Sequence, residues 1–149
     1  MNANSTFIRG QYMDFELLEH PADIGFRTRG GTVAELFANA AKAMLSIASV
    51  LDNVTPREQF RLSAEGSDYE SLLVNWLNEV LYWYDGKRVA LGEFQIDAID
   101  PTSISAIGFG EPRDPERHPA LMVVKAVTWH QLKVDETPEG WVAEVYLDI

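Results

Sequence analysis

The sequence predicts an α+β fold, a single two-layer domain in which an antiparallel or mixed sheet of about seven strands carries two helices on one face. Two stretches have apolar residues at helical spacing, and a capping pattern precedes each of them. The other apolar residues alternate with polar ones in short runs that turn-forming residues separate. Because most runs follow one another across short turns, we expect hairpins rather than parallel crossovers.

The first two strands are expected at residues 15–18 and 24–28, with a proline-containing corner between them. Two glycines end the second strand. A threonine followed three positions later by a glutamate then begins the first helix, whose apolar stripe runs from residue 33 to about Val50.

The second helix has the strongest pattern in the chain. We expect a capping box of Ser67 with Glu70 at its start and Asp85 with a following glycine at its end. A wide apolar face lies between them and includes Trp76 and Tyr84. We interpret the aromatic residues of this helix as part of the core rather than as a cofactor site.

The remaining strands are expected at residues 60–64, 89–99, 104–109, 121–134 and 141–149. Residues 110–119 contain three prolines and charges of both signs, which is typical of a stiff, exposed loop. We assign residues 1–12 to a flexible N-terminal arm and residues 13–149 to one domain.

The composition limits the classes of function. The 149 residues include no cysteine, so disulfides and thiolate metal sites are excluded, and any metal must be held by oxygen or imidazole. The N-terminal residues lack the apolar segment of a signal peptide, and no apolar run is long enough to span a bilayer. We therefore expect a cytoplasmic protein without membrane contact.

The formal net charge is -11. A surface this acidic repels phosphate backbones, so we do not expect direct, high-affinity binding of nucleic acid. The charge suits a basic protein partner or a divalent cation. Simple solubility is the alternative explanation.

The corner at residues 19–25 combines two acids, a histidine, a proline and a glycine in seven positions. We expect the functional chemistry of the protein at this corner, carried by His20 and Asp23. The alternative is structural: Asp23 caps the turn by bonding its own backbone, and His20 is a surface residue.

The last strand ends in two anionic groups. The α-carboxylate of Ile149 follows the Asp148 side chain directly, and two anions at that separation repel unless a positive charge lies between them. If Asp23 reached the same end of the sheet, three oxygen donors would converge, as in a Ca²⁺ or Mg²⁺ site. Alternatively, the terminus is solvated and the two groups point apart.

Five stretches, taken together and in order, resemble the archease family over residues 15–149. They are EHPADIG (19–25), LLVNWLNE (72–79), GEPRDPERH (110–118), VKAVTWH (124–130) and LDI (147–149). The resemblance implies that Asp23, Asp148 and Ile149 bind a divalent cation, Ca²⁺ before Mg²⁺ or Mn²⁺. It also implies a non-catalytic cofactor of an RtcB-type RNA ligase, which promotes guanylylation and multiple turnover of the ligase in tRNA splicing and RNA repair.

Three positions depart from the family pattern. Pro21 stands where threonine is usual, and Val123 stands where glutamate is frequent, so a second acidic contact at position 123 is in doubt. Arg117 replaces a basic residue, often lysine, that the family associates with ligase activation, and it keeps the charge.

The resemblance and the charge pattern give four candidates for ligase activation: His20, Arg117, His118 and Lys125. We expect the proline-rich loop that carries Arg117 and His118 to flank the acidic end. Lys125 has two interpretations, as a salt-bridge partner of the acidic end, which we favour, or as a contact with the ligase or its nucleotide.

Two other classes of protein stay open. A small metal-dependent hydrolase would use His20, His118 and His130 with Asp23, although no nucleophile elbow or phosphate loop is present. His130 is expected on a buried strand, where a structural role is commoner. The second class is a metal-free chaperone or scaffold that binds proteins through an acidic face.

Overall fold

The computed structural model describes residues 15–20 and 23–149, with the backbone alone at residues 19 and 20. The expected arm at residues 1–12 and Pro21 lie outside the described residues. In chain order the elements are β1 (Phe15–His20), β2 (Asp23–Gly30), α1 (Val33–Ala48), β3 (Glu58–Glu65), α2 (Tyr69–Asp85), β4 (Val89–Asp100), β5 (Ser103–Pro112), β6 (Ala126–Thr137) and β7 (Gly140–Asp148). A short 3-10 turn, Leu51–Asn53, follows α1.

The described strands form two antiparallel sheets. The four-stranded sheet has the order β1-β2-β7-β6, and the three-stranded sheet has the order β3-β5-β4. The predicted α+β class, with seven strands and two helices, is confirmed. The strands divide between two sheets instead of forming one, because alternation of polar and apolar residues identifies a strand without identifying its neighbour.

Both helices pack against both sheets rather than on one face of a single sheet. Helix α1 contacts β2, β7 and β4, and α2 contacts β6 and all three strands of the smaller sheet. The C-terminal half of α1 is consequently buried almost all round, as expected for a helix with apolar neighbours on every side. Trp76 is fully buried and donates its Nε1–H to the Phe37 carbonyl at 3.0 Å, so its predicted place in the core is confirmed.

The helix starts follow the capping rules, with one shift. Thr32 caps α1 as predicted, accepting from the Glu35 N–H at 3.1 Å. The box predicted for Ser67 with Glu70 is wrong by one residue, because Asp68 caps α2 and exchanges hydrogen bonds with Ser71. Within the described part of the chain, no helix has both the length and the apolar character needed to cross a membrane.

Strand β6 differs most from its prediction. It begins at Ala126 rather than at residue 121, so residues 121–125 precede the strand. Four residues, 129–132, bulge out where β7 has only one, and Gln131 in this bulge has a φ of 52°. His130 lies in the bulge and is exposed, so its expected burial is wrong.

One end of the four-stranded sheet gathers several chain segments, and we call it the Asp148 end. Strand β2 begins there, β7 ends there, and the Lys125 N–H donates to the Asp148 carbonyl at 2.7 Å. Helix α1 starts at the opposite end, just after β2, and therefore returns its C-terminus to the Asp148 end. Helix α2 runs the same way, since Tyr69 in its first turn packs on Trp141 at the opposite end.

Candidate metal centre

The Asp148 end of the sheet carries a row of polar residues from three neighbouring strands. Asp23 lies directly opposite Asp148 of β7 on one side and opposite His20 of β1 on the other. The Cβ atoms of directly opposite residues are about 4.5–5.5 Å apart and project from the same face of a sheet. The register therefore brings the two acids together, with Ile149 next in the chain; the His20 side chain lies outside the described residues.

The donors at this end suit a hard cation. The Asp23 Oδ1 is buried, whereas Asp148 and Ile149 are exposed. No group of three His, Cys, Asp or Glu side chains placed to hold a metal occurs among the described residues, so the carboxylate of Ile149 is the third donor that we consider. Oxygen-only ligation is the chemistry of Ca²⁺, Mg²⁺ and Mn²⁺.

A tyrosine ring adjoins Asp23 on the same face. Tyr146 lies across Gly25, where an added Cβ would be only 2.6 Å from the ring Cε1, so glycine is needed at this position. Tyr146 is 8% exposed, and the His130 ring packs edge-on against it at 5.9 Å. Burial, followed by the negative charges of Glu144 and Asp23, raises the pKa of Tyr146, so its hydroxyl stays protonated.

A second group of charges lies in the middle of this face. Arg27 donates through Nε to Glu144 at 2.8 Å and through Nη1 to Glu16 at 2.9 Å. The hydrogen bond to Glu144 is the main reason that the pKa of Arg27 is raised. This arginine is therefore held by two acids in mid-sheet rather than by the acids at the Asp148 end.

Lys125 adjoins the site through its backbone. Its side chain is exposed and lines an open cavity of about 350 Å³ with Asn78, Tyr82 and Asp85 of α2. The ion pairs among the described residues include none from Lys125, so the favoured salt bridge to the acidic end is not formed here. The Asn78 Oδ1 accepts from the Val127 N–H at 3.1 Å and ties α2 to the start of β6.

A buried carboxylate that the sequence analysis did not single out organises the proline-rich loop. Glu111, at the end of β5, is 0% exposed. It accepts hydrogen bonds from the Thr55 N–H at 3.0 Å and the Arg117 Nη1 at 3.0 Å, and Arg57 lies 3.1 Å away. The Thr55 bond contributes most, and with Arg117 and His118 it outweighs burial and lowers the pKa of Glu111 from 4.5 to about 2.

His118 completes this cluster and is itself 1% exposed. Its Nδ1 accepts from the Asp114 N–H at 2.9 Å, so the ring proton is on Nε2 and is donated to Glu111 Oε2 at 2.9 Å. Arg117 also donates to the Asn53 carbonyl at 3.0 Å. These hydrogen bonds place both candidates around Glu111, where they fix the loop, and their part in ligase activation stays a prediction.

Replacing Glu111 by glutamine should make the free energy of unfolding less dependent on pH in the acidic range. Since folding lowers the pKa of Glu111, its ionised form stabilises the native state above pH 4.5, and this contribution is lost between pH 4.5 and about 2. The variant should be less stable than the parent protein at neutral pH, and the two should converge as the pH falls through this interval.

Urea unfolding followed by circular dichroism measures this convergence. Glu65→Gln, at an exposed position of β3, is the matched control and should parallel the parent protein. A constant difference between the Glu111 variant and the parent protein across the interval would contradict the assignment.

Two of the hydrolase candidates, His118 and His130, lie apart. His118 is buried against Glu111, whereas His130 is exposed and packs on Tyr146. The two histidines thus belong to different surroundings, and the hydrolase hypothesis stays a prediction.

The fold and its acidic sheet end define a small α+β protein with carboxylates gathered from an early strand and the last one. The model of the Archease protein family (MTH1598/TM1083) matches residues 15–149. The chain belongs to the archease family.

Individual relatives agree with this assignment. The chain is 40% identical to Protein archease of Methanosarcina mazei over 139 residues, which cover 91% of this chain and 95% of the relative. It is 36% identical to Protein archease of Methanopyrus kandleri over 140 residues, covering 92% of this chain and 100% of the relative. The solution structure of Methanobacterium thermoautotrophicum Protein 1598 matches with a TM-score of 0.78 and 30% identity, covering 91% of this chain and 98% of that one.

Proposed function

We propose that this protein is a metal-binding cofactor that activates an RtcB-type RNA ligase in tRNA splicing and RNA repair. The observation that carries the proposal is the register of Asp23 against Asp148 at the sheet end, in a chain of the archease family. Family membership supports an activator role in RNA processing, and the acid pair supplies a physical means for it.

In this proposal Asp23, Asp148 and the carboxylate of Ile149 hold the cation. Oxygen-only ligation fits Ca²⁺, Mg²⁺ and Mn²⁺ alike. We expect Ca²⁺ first, with Mg²⁺ or Mn²⁺ as alternatives, from the resemblance to the family. When bound, the cation supplies positive charge that allows the acidic end to approach the phosphates of the ligase's nucleotide. The role of the chain is to orient the donors and to keep Asp23 beside the buried Tyr146.

The acidic surface determines the kind of partner. A net charge of -11 favours approach to a basic ligase over direct binding of RNA, and the attraction acts mainly on the association rate. We propose a cytoplasmic location, since a protein without cysteine does not depend on an oxidising compartment.

Titrating guanylylation of the ligase encoded in the same genome tests the proposal. The parent protein should raise the rate, whereas Asp148→Ala, or one residue added after Ile149, should abolish the stimulation and leave the fold intact. Asp97→Ala, at an exposed acid of β4, is the matched control and should stimulate normally. Stimulation by the extended protein equal to that by the parent would defeat the proposal.

A further inference from the structure

We propose that Leu121 and Val123 form a docking ridge for a protein partner that presents a cationic cleft with apolar walls. This inference deepens the proposed function and rests on it, since it names the surface through which the activator reaches its partner. Val123 is the most exposed large apolar residue of the described chain, at 70%.

Exposed apolar side chains are concentrated at the Asp148 end. Among the described residues, the other large apolar side chains that are exposed are those of Tyr82, Trp129 and Ile149. Tyr82 shares a cavity with Lys125, and Ile149 directly follows Asp148. Single exposed apolar residues are ordinary, but a group of them on one end of a soluble domain is typical of an interaction surface.

The ridge is held in place by its backbone. The Leu121 N–H donates to the Ala48 carbonyl at 2.9 Å, and the Lys125 N–H donates to the Asp148 carbonyl at 2.7 Å. Between them Val124 is buried, at 3% exposed, and anchors the segment in the core. Val123 is therefore exposed on a segment whose backbone is hydrogen-bonded at both ends and whose next residue, Val124, is buried.

The buried cluster fixes the approach to the ridge. Glu111 binds Arg117 and His118, and Ser49 donates its Oγ–H to the Pro119 carbonyl at 2.9 Å. The loop is thus fastened to the three-stranded sheet just before the ridge begins. Glu111 is consequently a positioning residue for the ridge, through a contact that does not involve the cation donors.

The charges at this end select the partner. Helix α1 directs its C-terminus here with no basic residue in its last turn, and a helix C-terminus carries partial negative charge. The C-terminus of α2 is bound by Arg113, which donates to the Tyr84 carbonyl at 3.0 Å, so it contributes less. Asp23 and Asp148 add to this potential. A second copy of the chain, or RNA, would bring like charges together, whereas a cationic cleft is complementary. The apolar ridge beside the acids fits the apolar wall of such a cleft.

Calorimetry with the RNA ligase encoded in the same genome tests the ridge. Val123→Lys should weaken binding by about 10-fold or more, because it removes apolar contact and adds a like charge to the cationic face. Ser63→Lys makes the same charge change on the exposed face of β3 and should stay within about 2-fold of the parent protein. Thermal unfolding of both variants should match that of the parent.

The outcomes separate the two proposals. If the parent protein binds and stimulates the ligase while Val123→Lys binds equally well, the ridge is wrong and the proposed function stands. If the parent protein neither binds nor stimulates the ligase, the proposed function fails and the ridge fails with it. If Val123→Lys weakens binding of the ligase and Ser63→Lys does not, both the ridge and the proposed function are supported.

Discussion

Replacing Asp148 by asparagine should abolish tight binding of a divalent cation, and Asp23→Asn should do the same. Each change keeps the size of the side chain and removes one of the opposed carboxylates. Losing an outer partner of a metal ligand costs about 10–100-fold in affinity, so replacing a direct carboxylate ligand by a neutral amide with a single oxygen donor should cost more than about 100-fold. Titration calorimetry with Ca²⁺ and with Mn²⁺ measures the change.

The control for this pair is Asp97→Asn, which removes a carboxylate from an exposed position of β4. It should bind the cation as the parent protein does. Undiminished binding by Asp148→Asn would place the cation elsewhere. A parent protein that binds neither ion would favour the metal-free scaffold instead.

Gly110→Ala should be strongly destabilising, by on the order of 3 kcal/mol or more. Gly110 lies in the central strand of the three-stranded sheet, opposite Glu58 on one side and Leu91 on the other. An added Cβ would be 1.8 Å from the Ala90 carbonyl oxygen, so the backbone of β4 would have to move. Because Glu111 is the next residue, the cluster that fixes the proline-rich loop should loosen as well.

Gly108→Ala provides a matched comparison on the same face of the same strand. The atoms nearest to its Cβ would be methyl groups of Leu62 and Leu91, at 3.0–3.1 Å, and these side chains can adjust. Alanine also restricts the unfolded chain, so the net change should lie within about 1 kcal/mol. Urea unfolding of the two variants measures the contrast, and equal stabilities would contradict the packing described here.

The helices were predictable because their signals are local. The apolar stripe and the threonine cap of α1 fall within one stretch of sequence, and the structure starts the helix at Val33. The error at α2 is equally local: Asp68 and Ser67 are both good caps, and the side chain at the third helical position, Ser71, decided between them.

Strand partners depend on distant contacts that alternation does not encode. The division into two sheets follows from α1, which needs apolar neighbours on every side and receives them from both sheets. The 129–132 bulge escaped prediction for a related reason. The consecutive polar residues His130 and Gln131 break the alternation, but only the register with β7 shows how many residues are inserted.

Part of the candidate site could be predicted from the sequence. Asp23 and Asp148 were singled out from their places at a corner and at the chain end, and the observed register sets them opposite each other. Glu111 was missed because a glutamate at the end of an apolar strand resembles a surface residue. The sequence signal that could have identified it is the pair Arg117 and His118, six and seven positions later, because a buried carboxylate needs such partners.

An anomalous-scattering map from crystals grown with Mn²⁺ would show most directly whether this protein holds a cation where β2 begins and β7 ends. The account predicts one strong peak within bonding distance of the Asp23 and Asp148 carboxylates and the carboxylate of Ile149. A peak at another group of acids, or no peak at saturating Mn²⁺, would contradict it.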